Sequence, residues 1–529
     1  MSKENSKLKL WLPTLLAVIM VVGMFTGYHL KERTGGSDSF IKNKSNGSLE
    51  EIINLISSRY VDELNVDSLD TAAINSILQK LDPHTIFIPA SDLEEVNEDL
   101  QGNFRGIGVE FQIFNDTVHV LNVMPDGPSS KAGLQTGDRI IKVNDTLNFT
   151  GEKIDADVVR KTLKGPAGSK VKLSLLRAGK ILQVEVERGI IPVPSVDAAY
   201  IIAPQKGYIR INTFSETTYP EFMQALEKLQ TKKINSLIVD LRGNPGGLLD
   251  QAVNIADEFL SGDKLIVYTK GAKLKRTDYR SKRDGLFEEG KLIILIDEGS
   301  ASASEILAGA VQDWDRGTII GRRSFGKGLV QQQFRLTDGS ALRLTVQRYY
   351  TPIGRNIQKP YSDGLADYED EIYRRYHDGE MMHGDTSTAK GPVFTTPGGH
   401  KVYGGGGITP DVFIPLDTTD GSGGLSYLFA RNTISNFVYN QYVKNKKQFS
   451  IYTSAEDFNQ KYTVDDLVWK QFVTYATNDS VAIANIPATS QQQLKKQIKA
   501  LMARQIWRTE GYYEVMNQYD PVIKAAMAE

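Results

Sequence analysis

Apolar positions along the chain change period several times, and each change marks a change of architecture. Between Leu49 and Leu81 they recur at helical spacing, as Ile52, Ile53, Leu55, Ile56 and then Ala72, Ala73, Ile74, Ile77 and Leu78, the signature of a stripe covered on one side. Asp82-Pro83-His84-Thr85 then predicts a turn. From Phe104 to Arg188 short β-rich runs take over, at Val109–Phe114, Val118–Val123, Arg139–Val143, Val171–Leu176 and Ile181–Val186, with a helix predicted over Asp155–Leu163. Turns such as Pro125-Asp126-Gly127 separate them, and the stretch has the size of one compact β domain. From Gly207 strand and helix alternate: strands at Tyr208–Ile211, Ser236–Asp240, Lys264–Tyr268, Leu292–Ile296 and Thr318–Ile320, helices over Tyr219–Leu229, Leu248–Leu260 and Ala303–Trp314. That alternation predicts an α/β layer structure. Two strands, Gln331–Leu336 and Ala341–Tyr350, follow without a helix between them.

Beyond this core the texture turns polar. Residues 366–390 are charged and predict a surface insertion, and Asp417–Gly424 (DTTDGSGG) reads as a linker. The tail from Leu425 to Glu529 is helical in pattern, with no chemical motif, and is expected to be a helical accessory domain.

The N-terminus adds a compartment. Leu10–Leu30 carries no charged side chain, and about 20 such residues span a bilayer. Lys3, Lys7 and Lys9 precede it and keep the first residues cytoplasmic by the positive-inside rule. No small-x-small cleavage site follows, so a retained single-pass anchor is favoured over a cleaved signal peptide. The expected arrangement has residues 1–9 cytoplasmic, 10–30 in the inner (cytoplasmic) membrane, 31–48 as a flexible stalk, and the remainder on the periplasmic side. At 529 residues several domains are required. A net charge of −2 gives no footprint for nucleic acid. The absence of cysteine removes disulfides, thiolate metal sites and a cysteine nucleophile. Neither an HExxH motif nor another metal-ligand cluster is present, and the six histidines include none in a triad-like setting. No metal and no cofactor are expected.

Three segments carry candidate chemistry. Ser302-Ala303-Ser304-Glu305 follows a buried-type strand and fits a capping box, which accounts for Ser302 as a helix N-cap. The same position offers a nucleophile beside the N–H groups of a helix N-terminus, and local sequence leaves Ser300, Ser302 and Ser304 open as the attacking residue. Lys327 lies between Gly326 and Gly328, ahead of an apolar run. A lysine in water is a poor base near neutral pH, and burial makes it a usable one. Asp240-Leu241-Arg242-Gly243-Asn244-Pro245-Gly246-Gly247 is a glycine-rich turn where backbone can approach a ligand. In the β domain, Gly106-Ile107-Gly108-Val109 can present N–H groups to a carboxylate while the strand after it accepts an added strand.

In order along the chain, LDPHT (81–85), RGIGVEF (105–111), PSSKAGLQTGDRIIKVND (128–145), GYIRI (207–211), DLRGNPGG (240–247), GSASASEI (299–306), SFGKGLVQ (324–331), YTPIGRNIQ (350–358) and GGGGITPD (404–411) resemble the C-terminal processing peptidases of family S41. The resemblance covers roughly Leu49–Pro415 and implies a PDZ domain (104–190) and a ClpP/crotonase-like protease core (191–417). With the N-terminal helical segment (49–103) and the C-terminal helical extension (418–529) read from the apolar pattern, the expected fold is multidomain α/β and β; the insertion at 366–390 and the long tail depart from the family pattern. The resemblance implies a serine endopeptidase with Ser302 as nucleophile, Lys327 as base and Gln331 orienting the lysine. The oxyanion donors would be the N–H of Ala303 and that of Gly246, with Gly247 close behind. Asp313 would be structural. Gly106, Ile107, Gly108 and Val109 would hold the C-terminus of a protein or peptide substrate with an apolar tail. A homo-oligomer or an adaptor protein stays open as partner. An inactive PDZ scaffold and a crotonase-like acyl-CoA enzyme are the alternatives.

Overall fold

The computed structural model describes residues 46–151, 154–362, 364–384, 391–417, 426–479, 481, 483 and 486–529. The expected cytoplasmic N-terminus, the 10–30 span, most of the stalk and all of the Asp417–Gly424 linker after Asp417 lie outside the described residues. The membrane placement needs correction. Among the described residues no helix is long and apolar enough to cross a membrane. The longest, Ala488–Met516, has 29 residues, but Lys495, Lys496, Lys499, Arg504 and Arg508 interrupt it, and charges of that density are not carried through a bilayer core. The structure therefore gives no basis for an inner-membrane, single-pass arrangement.

The described chain divides into two units at Ile77/Leu78. The first holds the helix Asn46–Arg59 and all but the last residue of the helix Val66–Leu78, as the helical spacing predicts. Everything else belongs to the second unit. Its β domain is a sheet of β1 (Val109–Phe114), β2 (Thr117–Val123), β3 (Arg139–Val143), β4 (Lys170–Arg177) and β5 (Lys180–Glu187), in that spatial order, with helix α1 (Ala156–Leu163) beside them. Strand β1 is an edge strand. Val118, Val120, Ile140, Val143, Leu173, Leu175 and Val159 fill its core, the inward positions of period-2 strands and one helix face.

The α/β core is a six-stranded sheet: β6 (Val196–Ala203), β7 (Lys206–Ile211), β8 (Ser236–Asp240), β9 (Lys291–Ile296), β10 (Thr318–Gly321) and a last short strand, Val412–Phe413. Only the β6–β7 pair is antiparallel. Alternate residues sort to opposite faces. Leu237, Val239, Leu292, Ile294, Ile296 and Ile319 pack with α2 (Thr218–Gln230), α3 (Leu249–Asp257) and α4 (Ala303–Asp313). Ile238, Ile293, Leu295 and Ile320 face the other way. Both faces are covered, which is why these strands read as continuous apolar runs. A second sheet centres on β12 (Ala341–Tyr350), paired with β11 (Leu329–Arg335), Ile86–Ile88 and Leu265–Lys270. The segment expected to be only helical before residue 104 thus sends a strand into this sheet.

Two polar-looking regions take structural roles. The stretch expected to be a surface insertion forms helix α5 (Leu365–His377), in which Tyr368 and Arg375 are buried. Arg375 donates to the carbonyls of Arg323 and Ser324. The tail forms α6 (Thr433–Phe449), α7 (Ala488–Met516), α8 (Pro521–Ala528) and shorter helices with a core of their own. Helix α8 leaves that core and lays Val522, Ile523 and Ala526 on the face of the six-stranded sheet opposite α2, α3 and α4.

Candidate active site

Strand β9 delivers the chain to a sharp turn at Ser302, whose φ of 53° and ψ of −111° lie outside the regions favoured by L-residues. Strain of that kind persists only where surrounding contacts enforce it. Here the DLRGNPGG turn does so. Asn244 donates to the carbonyl of Ile211 (2.9 Å), and its own carbonyl accepts from Ala301 N–H (3.0 Å) and the Ser304 hydroxyl (3.0 Å). Gly246 sits directly behind the nucleophile turn. A Cβ there would lie 2.6 Å from Ala301 O and 2.7 Å from Ser302 Cβ, so only glycine fits.

The three serines of the run separate by environment. Ser300 and Ser304 are fully buried, with their hydroxyls donated to Leu241 O (2.8 Å) and Asn244 O (3.0 Å). Ser302 alone is partly exposed. The N–H of Ala303 meets no acceptor among the described residues. The expected second oxyanion donor requires correction, because the N–H of Gly246 is taken by Asn244 Oδ1 at 2.8 Å. The N–H of Gly247 meets no acceptor among the described residues.

Lys327 stands on the glycine loop that leads into β11. Burial pushes its amine below the usual lysine range, helped by the Arg343 guanidinium and opposed by Glu305 and Asp82. Its Nζ donates to Gln331 Oε1 at 3.3 Å, so the structure brings Lys327 and Gln331 together. It forms no Ser302–Lys327 hydrogen bond. Gln331 is oriented in turn by donating Nε2 to the carbonyl of His84. Asp313, expected to be structural, forms a fully buried ion pair with Arg355 at 2.5 Å.

Several residues of this site escaped the reading of the sequence as a catalytic set. The LDPHT turn is part of it: Asp82 Oδ1 accepts from the N–H groups of His84 and Thr85 (both 2.9 Å) and from Thr345 Oγ1 (3.0 Å). The His84 ring lies 2.8 Å from the Tyr368 hydroxyl, and burial with the nearby Lys327 charge pushes its pKa down to about 4. The Tyr349 hydroxyl is shared between the carbonyls of Lys327 (2.6 Å) and Ser302 (3.1 Å). Glu305, legible only as a capping-box partner, is 1% exposed and contacts both halves of the site.

In the β domain, Gly106, Ile107, Gly108 and Val109 line one groove of about 920 Å³ with Phe111, Leu163 and Lys164, and the groove runs on to Thr213 and Pro245 beside the nucleophile turn. Gly108 has φ +72°, and the N–H groups of Ile107 and Gly108 meet no acceptor among the described residues.

Comparison with known proteins places this arrangement. Residues 205–366 match peptidase family S41, residues 106–187 match the PDZ domain, and residues 425–508 match a family of unknown function, DUF8443. The chain is 38% identical over 315 residues to the carboxy-terminal-processing protease of Bartonella bacilliformis, covering 58% of this chain and 71% of that protein. It is 34% identical over 311 residues to the "Probable CtpA-like serine protease" of Staphylococcus haemolyticus, covering 58% and 62%. Among solved structures, the photosystem II D1 C-terminal processing protease shares 27% identity over 70% of this chain and 88% of its own, with a TM-score of 0.35. The chain belongs to peptidase family S41: it is a carboxy-terminal-processing serine protease with a PDZ domain.

Proposed function

We propose that this protease cleaves proteins near unstructured, apolar C-termini with a Ser302–Lys327 dyad, the tail being captured by the PDZ domain. The observation that carries the reading is the setting of Ser302, the one accessible hydroxyl of its run, on a strained turn beside two unengaged N–H groups and across from a desolvated lysine.

The substrate's terminal carboxylate would meet the N–H groups of Ile107 and Gly108, and its last residues would add as a strand beside β1. The groove's continuation to Pro245 supports a path from there to the nucleophile turn. Neutral Lys327 takes the Ser302 proton as Oγ bonds to the scissile carbonyl carbon. The oxyanion falls to Ala303 N–H and Gly247 N–H. The lysine ammonium then protonates the leaving amine, and water releases the acyl group by the reverse route. Lys327 reaches Ser302 by exchanging its bond to Gln331 Oε1, so Gln331 acts as the holder of the amine before attack. The boundaries 104–190, 191–417 and 418–529 are proposed for the PDZ domain, protease core and helical extension.

The test uses the full chain with a folded protein ending in an unstructured apolar tail. Ser302→Ala and Lys327→Ala are each expected to abolish cleavage while retaining tail binding. Cleavage that persists in Lys327→Ala overturns the dyad. Binding without cleavage by the wild-type chain returns it to an inactive PDZ scaffold.

A further inference from the structure

One buried carboxylate joins the two segments on which the chemistry depends. Glu305 Oε2 accepts from the N–H of Ser302 (2.9 Å) and the N–H of Lys327 (2.8 Å). Its Oε1 accepts from the N–H of Gly326 (2.7 Å) and the hydroxyl of Ser324 (2.5 Å). Ser302 and Lys327 belong to segments that meet only through tertiary structure, the first at the start of α4 and the second on the loop before β11. An N-terminal capping partner ordinarily accepts from the cap residue alone. Here the same side chain closes the cap and also fixes a separate loop, with both oxygens doubly engaged.

We propose that Glu305 is a positioning residue for the reaction, the strut that sets the nucleophile turn and the lysine loop at one fixed spacing. The proposal deepens the Ser302–Lys327 reading and rests on it. Chemistry decides why a carboxylate is needed. An ionised carboxylate accepts four hydrogen bonds with no hydrogen of its own. A glutamine in its place offers one accepting oxygen and one donating nitrogen, so two of the four donors would face another donor. Lys327 from the glycine loop, Tyr349 from β12 and Tyr368 from α5 are the titratable groups that face Glu305. Its negative charge favours the ammonium form of Lys327. Burial pushes the Glu305 pKa up to about 7, while its four donors pull it down. Strut and lysine are therefore linked by position and by charge.

The experiment compares wild type, Glu305→Gln, Glu305→Asp, Ser302→Ala and Lys327→Ala as full chains on the tailed substrate, separating kcat from KM and following kcat/KM against pH. Misplacing reacting groups by about 1 Å costs about 100-fold, so Glu305→Gln is expected to lose about 100-fold in kcat with KM little changed. The acid limb of its profile should move to lower pH, since loss of the anion removes support for the lysine ammonium. Glu305→Asp keeps the charge and should return the limb to its wild-type position while recovering part of kcat. A kcat for Glu305→Gln within about twofold of wild type overturns the proposal wherever the limb lies. So does a loss fully explained by a smaller folded fraction with the limb unmoved. If Glu305→Gln does not fold, Ser324→Ala decides: removing one donor should lower kcat at unchanged KM, and an unchanged kcat rejects the strut. Cleavage surviving in Ser302→Ala or Lys327→Ala would instead sink the dyad reading, so the two failures are told apart.

Discussion

Three serines stand within five residues of each other, and burial assigns them different work. Ser300 and Ser304 close backbone carbonyls of the DLRGNPGG turn, whereas Ser302 is held open at a strained turn. Ser304→Ala should cost about 1 kcal/mol of stability, the worth of one buried hydrogen bond, and Ser300→Ala more, because its hydroxyl also accepts from the N–H of Asp297. Both variants should still be acylated by a serine-directed fluorophosphonate, which mass spectrometry would locate on Ser302. Labelling that follows Ser300 or Ser304 would reassign the nucleophile. His84 gives a second prediction at this scale. In the fold it stays neutral until about pH 4, while a histidine in the unfolded chain takes a proton near 6.5. Between those values the unfolded state binds more protons, so stability falls as pH drops through the window. Urea midpoints at pH 7 and pH 5 should therefore differ less in His84→Asn than in wild type. An identical difference in both would show that His84 is not the group responsible.

At the scale of elements, the alternation of strand and helix from Gly207 was legible because both faces of the sheet are covered, which leaves long apolar runs. The β domain was legible for a different reason, its period-2 runs between glycine turns. What sequence pattern could not reach was the role of polar residues buried by tertiary contact. Residues 366–390 read as a surface insertion because charge dominates local composition. Yet Arg375 is 4% exposed and holds the carbonyls of Arg323 and Ser324, just before the lysine loop. Glu305 was visible only as the fourth position of a capping box, since its loop partners lie some twenty residues away. The turn at 81–85 looked like a helix end, and its link to Gln331 joins residues 247 positions apart in the sequence. Arg375→Ala would leave two buried carbonyls unpaired, at about 1–3 kcal/mol each. It should lower the melting temperature and reduce kcat by loosening the Ser324–Lys327 loop. An activity equal to wild type at a lowered melting temperature would confine α5 to a purely stabilising role.

Within the second unit the tail packs against two neighbours. The helical extension carries no chemical motif, but it touches both the PDZ domain and the protease core. Tyr439 packs edge-on against the stacked rings of Phe114 and His119. Gln505 donates to Leu121 O, Arg508 donates to Val123 O, and Arg504 pairs with Glu110 of β1. On the core side Asp520 caps α8 and pairs with Arg242 of the DLRGNPGG turn at 2.7 Å. The two sets of contacts should separate by experiment. Ile523 is 2% exposed against Ile238, Ile293 and Ile320 of the core sheet. Its replacement by alanine should cost about 2–5 kcal/mol, the range for a truncated core side chain, and should lower the urea midpoint of the protease core. Tyr439→Ala removes a contact between tail and PDZ domain while leaving the core sheet covered. It should speed amide exchange across β1 and β2 with little change in exchange across β8 and β9. Were Tyr439→Ala to loosen the core sheet as much as the PDZ strands, the tail, PDZ domain and core would unfold as one cooperative body. The tail would then be part of the protease fold and not a brace between two domains.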